Sequence, residues 1–144
     1  MTEHIAGRSN NFDKLDVIEE HLHSISKAYP SLQAGVSVTS GIAWTLGAFT
    51  EFIPINTITR DFDIHWLIIE TVTDDEMYEL VFYNATTEIS RVRWSSDLAA
   101  GGRVISVPIP TLMQPQKKNS QIQVKLASSG ATETVVFSVL YHTY

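Results

Sequence analysis

Asp63 and His65 stand two residues apart in Phe62-Asp63-Ile64-His65-Trp66, and His142 lies in the segment Leu140-Tyr141-His142. On a strand, that spacing puts Asp63 and His65 on one face. A carboxylate with two imidazoles is the ligand set of jelly-roll oxygenase metal sites. Such sites need three or four ligands at fixed spacing, and the chain has no His-x-His pair on a strand and no Glu at a supporting interval. The plainer reading makes Asp63 and His65 outward polar residues of an amphipathic strand, so neither a metal nor another cofactor is expected.

His21 and His23 lie two apart on a predicted helix and point in different directions, whereas joint chelation needs i, i+4 spacing. Nucleophilic catalysis finds no Gly-x-Ser-x-Gly turn and no cysteine to pair with a histidine. A glycosidase needs two carboxylates facing each other across a cleft. Asp61, Asp63, Glu70, Asp74, Asp75 and Glu76 fall mostly at strand ends or in one turn, and Asp74-Asp75-Glu76 lacks the alternation of a calcium loop. No catalytic residue is assigned, and the chain is not expected to be an enzyme.

Trp44, Trp66 and Trp94 can be read as a platform that stacks on the apolar face of a hexose. Each sits inside a strand-like pattern, however, where aromatics normally fill a core, and the core reading is preferred. Arg91 and Arg93 flank Val92 and read as an exposed, solvated pair rather than as a docking point for an acidic partner.

Composition narrows the classes further. The 144 residues match one domain, and 44% apolar with 18% charged residues is the balance of a globular chain. Ten Lys and Arg against 16 Asp and Glu give a net charge of −6, with no basic cluster longer than Lys117-Lys118, which argues against nucleic acid as a partner. The absence of cysteine removes disulfides and thiolate metal sites and fits assembly in a reducing compartment. The first residues lack the apolar core of a signal peptide, and no apolar run approaches the roughly 18 residues of a membrane span. Export by the usual route and residence in a membrane are not expected.

The elements that position these residues change character at Pro30. Residues 1–11 are polar and aperiodic and read as an extended arm. Residues 12–30 place Leu15, Ile18, Leu22 and Ile25 on one helical face, behind an Asn10 or Asn11 cap and with Asp13 and Asp16 in the first turn. Adding Tyr29 completes a short heptad seam in which Leu15, Leu22 and Tyr29 take a positions and Ile18 and Ile25 take d positions. Leu at a with Ile at d favours three or four helices over two. The seam predicts either the joint of a homo-oligomer of three or four chains or packing across the chain's own sheet.

From residue 31 to 144 the period becomes two, predicting about eight strands and no second helix. They run over Leu32–Thr39, Ala43–Phe52, Phe62–Thr71, Tyr78–Tyr83, Glu88–Trp94, Arg103–Ile109, Gln121–Ala127 and Thr134–His142. Turns at Asn84-Ala85-Thr86-Thr87 and Ser128-Ser129-Gly130-Ala131 predict adjacent antiparallel pairs, and Pro108 and Pro110 mark an edge strand or one that leaves the sheet at its end. The fold class is mostly β: an antiparallel β-sandwich or jelly roll with one N-terminal α-helix.

The run Trp44-Thr45-Leu46-Gly47-Ala48-Phe49, then Ile53–Thr59, Phe62–Trp66, Asn119–Leu126 and Phe137–Tyr144, resembles in layout the small structural proteins of tailed bacteriophage particles. The resemblance is to capsid decoration, or cement, proteins. It implies a homotrimer on the outside of the virion capsid, assembled in the host cytoplasm and bound to the major capsid protein, with residues 1–11 as an arm and Leu15, Ile18, Leu22, Ile25 and Tyr29 at an oligomer or capsid interface. Such a protein stabilises the lattice by mass action, without chemistry. The alternative is a glycan- or receptor-binding sandwich of a tail fibre or similar appendage, for which the distinguishing sign is an exposed tryptophan in place of three buried ones.

Overall fold

The computed structural model describes residues 25–96, 98–99, 103–104 and 108–144. Eleven strands are formed among them: β1 (Lys27–Tyr29), β2 (Val36–Thr39), β3 (Thr50–Ile53), β4 (Phe62–Val72), β5 (Met77–Asn84), β6 (Thr87–Ser95), β7 (Leu98–Ala99), β8 (Arg103–Val104), β9 (Ile109–Pro110), β10 (Ile122–Ser128) and β11 (Thr134–Thr143). One sheet runs β1-β11-β4-β9, with β2 also on β11; a second runs β3-β10-β5-β6; β7 and β8 pair with each other. All these pairings are antiparallel.

The two larger sheets form a β-sandwich because each presents an apolar face. Strand alternation sends Val135, Phe137 and Val139 of β11 and Leu67 and Ile69 of β4 inward, to meet Leu80 and Phe82 of β5 and Val124 and Leu126 of β10. Phe52 is the hub. Its ring lies 4.7 Å from that of Phe137, 5.3 Å from Tyr29 and 6.3 Å from Phe82.

Several expectations need correction. The helix cannot run to Pro30, because Lys27–Tyr29 is a strand whose Tyr29 pairs with Val139. Ile25 is 82% exposed just before it, while Tyr29 packs edge-on against Phe52. These two seam positions therefore do not share a helical face; Leu15, Ile18 and Leu22, like the arm, lie outside the described residues. The hairpin at Asn84–Thr87 forms, with Ala85 at φ 51°, but β10 and β11 do not pair with each other. The Ser128–Ala131 turn instead carries the chain from one sheet to the other. The 103–109 strand reduces to β8 and β9, and β9 is an edge, as Pro110 demands.

Two irregularities matter most for function. Residues 43–49 do not form a strand; they make a turn in which Trp44 adopts φ 57°. Within β4, Trp66 pairs with Leu140 and Ile64 with Tyr141, so His65 is the extra residue of a bulge. The bulge interrupts period two, and Trp66 leaves the core side that an unbroken Phe62, Ile64, Trp66, Ile68 alternation would give it. The His65 carbonyl accepts the Thr111 N–H at 3.0 Å, and the Thr111 hydroxyl donates to the Ile64 carbonyl.

Candidate functional site

Of the three tryptophans only Trp94 packs against the core, partly buried and stacked on Tyr78 at 5.5 Å with its indole N–H donating to Ser96 Oγ at 2.8 Å. Trp44 is 51% exposed and Trp66 40% exposed. The core reading of these two is thus overturned, for the same reason in each case: a local departure from strand geometry turns the ring out to solvent.

Trp44 is presented on the outer face of the four-stranded sheet. Its N–H donates to the Ser128 carbonyl at 2.7 Å, and Gly47 N–H donates to the Leu126 carbonyl at 2.9 Å, so the turn lies along the β10 edge beyond the end of β3. The turn is closed internally by Thr45 N–H to Ile42 O (2.8 Å) and Gly41 N–H to Thr45 O (3.0 Å). A bulky residue at positive φ costs roughly 1–3 kcal/mol and persists only where its surroundings hold it. These hydrogen bonds are what hold it.

Beneath and beside the ring, strand register builds two cross-sheet rows. Ala127, Glu79 and Arg93 are partners in one, and Lys125, Val81 and Arg91 in the next. Glu79 is only 7% exposed, yet it is fully engaged: Arg93 donates to its Oε2 through Nε (2.9 Å) and Nη2 (2.6 Å), and Arg91 donates to its Oε1. Arg91 also reaches Glu88 (Nε–Oε1 3.1 Å). The Arg93 guanidinium sits 5.3 Å from the Trp44 ring centre, and Lys125 Nζ sits 4.1 Å from that of Phe49, which meets Tyr83 edge-on at 4.9 Å. The arginines are exposed, as expected, and in addition clamp one carboxylate beside Val81, which is fully buried on this outer face.

Burial works against ionisation of Glu79, but the hydrogen bonds from Arg93 and Arg91 outweigh it and hold its pKa below the ordinary 4.5. A folded-state pKa below the unfolded value adds stability that is complete above pH 4.5 and disappears as pH falls through the lowered value. Glu79→Gln is therefore expected to lower the melting temperature at neutral pH and to flatten the loss of stability below pH 4.5, measured as melting temperature against pH.

The opposite sheet gathers the chemistry-bearing residues first noted in the sequence. His142 is the register partner of Asp63, and its Nδ1 lies 2.7 Å from Asp63 Oδ1; His65 Nε2 lies 2.9 Å from the same oxygen. Asp63 is buried and not a solvated strand residue, and the Tyr144 hydroxyl donates to its Oδ2 at 2.5 Å. Burial and that carboxylate raise the Tyr144 pKa well above the ordinary tyrosine value. Asp63, His65 and His142 can together hold a metal ion. Beside them a groove of about 230 Å³ is lined by Ile64, His65, Trp66, Pro110, Leu112 and Met113. The acidic turn gathers Asp74 and Glu76 with Glu133, where Glu76 accepts from Ser129 Oγ and Glu133 from Thr73 Oγ1.

Glu79, Phe49, Tyr83, Lys125 and Tyr144 were not marked by sequence reasoning. Glu79 carried a usable signal: it is the only charge in the apolar strand Tyr78–Tyr83, and a buried charge requires partners.

No family model and no curated protein matches the chain. Among solved structures it is similar to the C-terminal CBM6 of LamC, a marine laminarinase from Zobellia galactanivorans, at 10% identity and a TM-score of 0.38, over 84% of this chain and 100% of that one. At that TM-score no ligand or site transfers to this chain.

Proposed function

We propose that the protein is a glycan-binding β-sandwich module whose site is the outer face of the four-stranded sheet around Trp44. The observation that supports this reading is a half-exposed indole held in a costly left-handed turn beside an arginine-carboxylate clamp. An aromatic face packs against the C–H face of a pyranose, while the N–H groups of the neighbouring guanidiniums that the clamp leaves unused donate hydrogen bonds to its hydroxyls. Glu79 and Glu88 offset Arg91 and Arg93, and with Lys125 held over Phe49 the face is close to balanced, which suits a neutral polysaccharide better than a polyanion. Phe49 and Tyr83 extend the aromatic surface and give room for more than one sugar ring.

The capsid-clamp expectation takes its oligomer seam from Leu15, Ile18 and Leu22, which lie outside the described residues. The exposed aromatics belong to the sandwich itself, and for that reason glycan binding is the reading the geometry favours.

Calorimetric titration with soluble β-glucan, galactomannan and a polyuronate tests the proposal. The native chain is expected to bind a neutral polymer, and Trp44→Ala to weaken that binding by about tenfold or more, equivalent to about 1.4 kcal/mol, with little change in melting temperature because the ring is half in solvent. Trp66→Ala, on the other sheet, is expected to bind as the native chain does. Equal affinity of Trp44→Ala and the native chain would contradict the assignment.

A further inference from the structure

We propose that Asp63, His65 and His142 form a binding site for one divalent transition-metal ion, with zinc as the type case. The proposal is independent of glycan binding at Trp44, which lies on the other sheet. Two imidazole nitrogens and one carboxylate oxygen converge so that the ligand atoms lie within 4.8 Å of one another. Nitrogen and oxygen donors in this number suit zinc and its neighbours in the first transition row, and three protein ligands leave a fourth position open.

The fold builds this convergence. Antiparallel register sets His142 directly across from Asp63, with both side chains on the outer face. The β4 bulge then re-aims His65, so that its ring centre comes 3.9 Å from that of His142. The bulge is held by Thr111, whose N–H binds the His65 carbonyl at 3.0 Å.

A supporting shell is also present. The Tyr144 hydroxyl takes Asp63 Oδ2 at 2.5 Å, which fixes the carboxylate with Oδ1 toward both imidazoles. Metal ligands are oriented by outer hydrogen bonds of this kind. Donors about 2.0–2.2 Å from a tetrahedral ion stand about 3.3–3.6 Å apart. The observed 2.7 and 2.9 Å separations must therefore open by less than about 1 Å to admit the ion. Asp63 and His142 are buried, but the His65 side chain is 41% exposed and lines the groove beside Trp66, so an ion has a route in and His65 has room to move.

The test uses the full chain, stripped with a chelator, dialysed and titrated with zinc sulfate at pH 7.5 by calorimetry, then with cobalt(II) by visible absorption. One equivalent is expected, with the absorption of a four-coordinate cobalt ion. His65→Ala, a half-exposed position whose loss leaves the core intact, is expected to weaken the affinity at least about 30-fold. Tyr144→Phe keeps all three ligands and is expected to weaken it about tenfold. His142→Ala serves as a second ligand variant if circular dichroism shows it folded. Absence of zinc binding by the native chain, or binding that His65→Ala leaves unchanged, would overturn the proposal and leave Asp63, His65 and His142 as a structural cluster.

Discussion

Phe137→Ala is expected to lower the free energy of unfolding by about 3–5 kcal/mol. Phe137 is fully buried at the centre of β11, and its ring lies against Phe52 at 4.7 Å and faces Phe82 at 6.3 Å across the interface between the sheets. Truncation removes apolar area from the core and leaves a cavity whose walls are held by two different sheets. Neither wall can collapse without disturbing the β11 pairing with β4 on one side and the Phe52 hub on the other. Since a domain of this size is stable by only about 5–15 kcal/mol, the loss takes a large share of the total. Urea unfolding followed by tryptophan fluorescence should show a lower midpoint with an unchanged slope. A loss below about 1 kcal/mol would mean that the sheets close over the gap and that the aromatic cluster is not the keystone described here.

Gly47→Ala is expected to cost about 1–3 kcal/mol and also to abolish binding at the Trp44 face. A Cβ at this position would stand 2.2 Å from the Thr39 carbonyl oxygen and 3.1 Å from the Ser40 carbonyl carbon, and both are backbone atoms that no rotamer change can move aside. The turn must lift from the end of β2, and that displacement strains Gly47 N–H to Leu126 O and Trp44 N–H to Ser128 O together. The substitution therefore links stability to function, whereas Trp44→Ala affects binding alone. Urea midpoints and polysaccharide titrations on one preparation separate the two effects. A Gly47→Ala protein of native stability and native affinity would show that the turn does not hold the indole in place.

Much of the sandwich was legible in the residues. Gln121-Ile122-Gln123-Val124-Lys125-Leu126 alternates without interruption, and β10 follows it with Ile122, Val124 and Leu126 buried. Asn84–Thr87 gave the β5–β6 hairpin, and the apolar runs of β4 and β11 gave the two long central strands. What alternation cannot show is a bulge. Counting straight back from the Asn84–Thr87 turn sets Glu79 opposite Val92, but the irregularity between Phe82 and Tyr83 shifts the register by one and sets it opposite Arg93. That single residue turns an apparently unpaired buried acid into the centre of a clamp.

The candidate sites were hidden for the same reason. Trp66 reads as a core residue until His65 is recognised as inserted, and Trp44 reads as mid-strand because nothing in Ala43-Trp44-Thr45 announces a left-handed turn. The meeting of His142 with Asp63 depends on which strands become neighbours, a long-range choice that spacing along the chain does not express. Residue types alone brought Asp63, His65 and His142 together as a ligand set; the register of β4 against β11 makes them neighbours in space.

Docking of carbohydrate beside Trp44 is tested by a pair of nitrogen-proton correlation spectra recorded with and without the neutral polysaccharide that binds in calorimetry. The Trp44 indole N–H and the Arg93 side-chain N–H signals are expected to move while the indoles of Trp66 and Trp94 stay in place. Movement of Trp66 with a silent Trp44 would contradict it and place the sugar on the opposite sheet, in the groove beside His65.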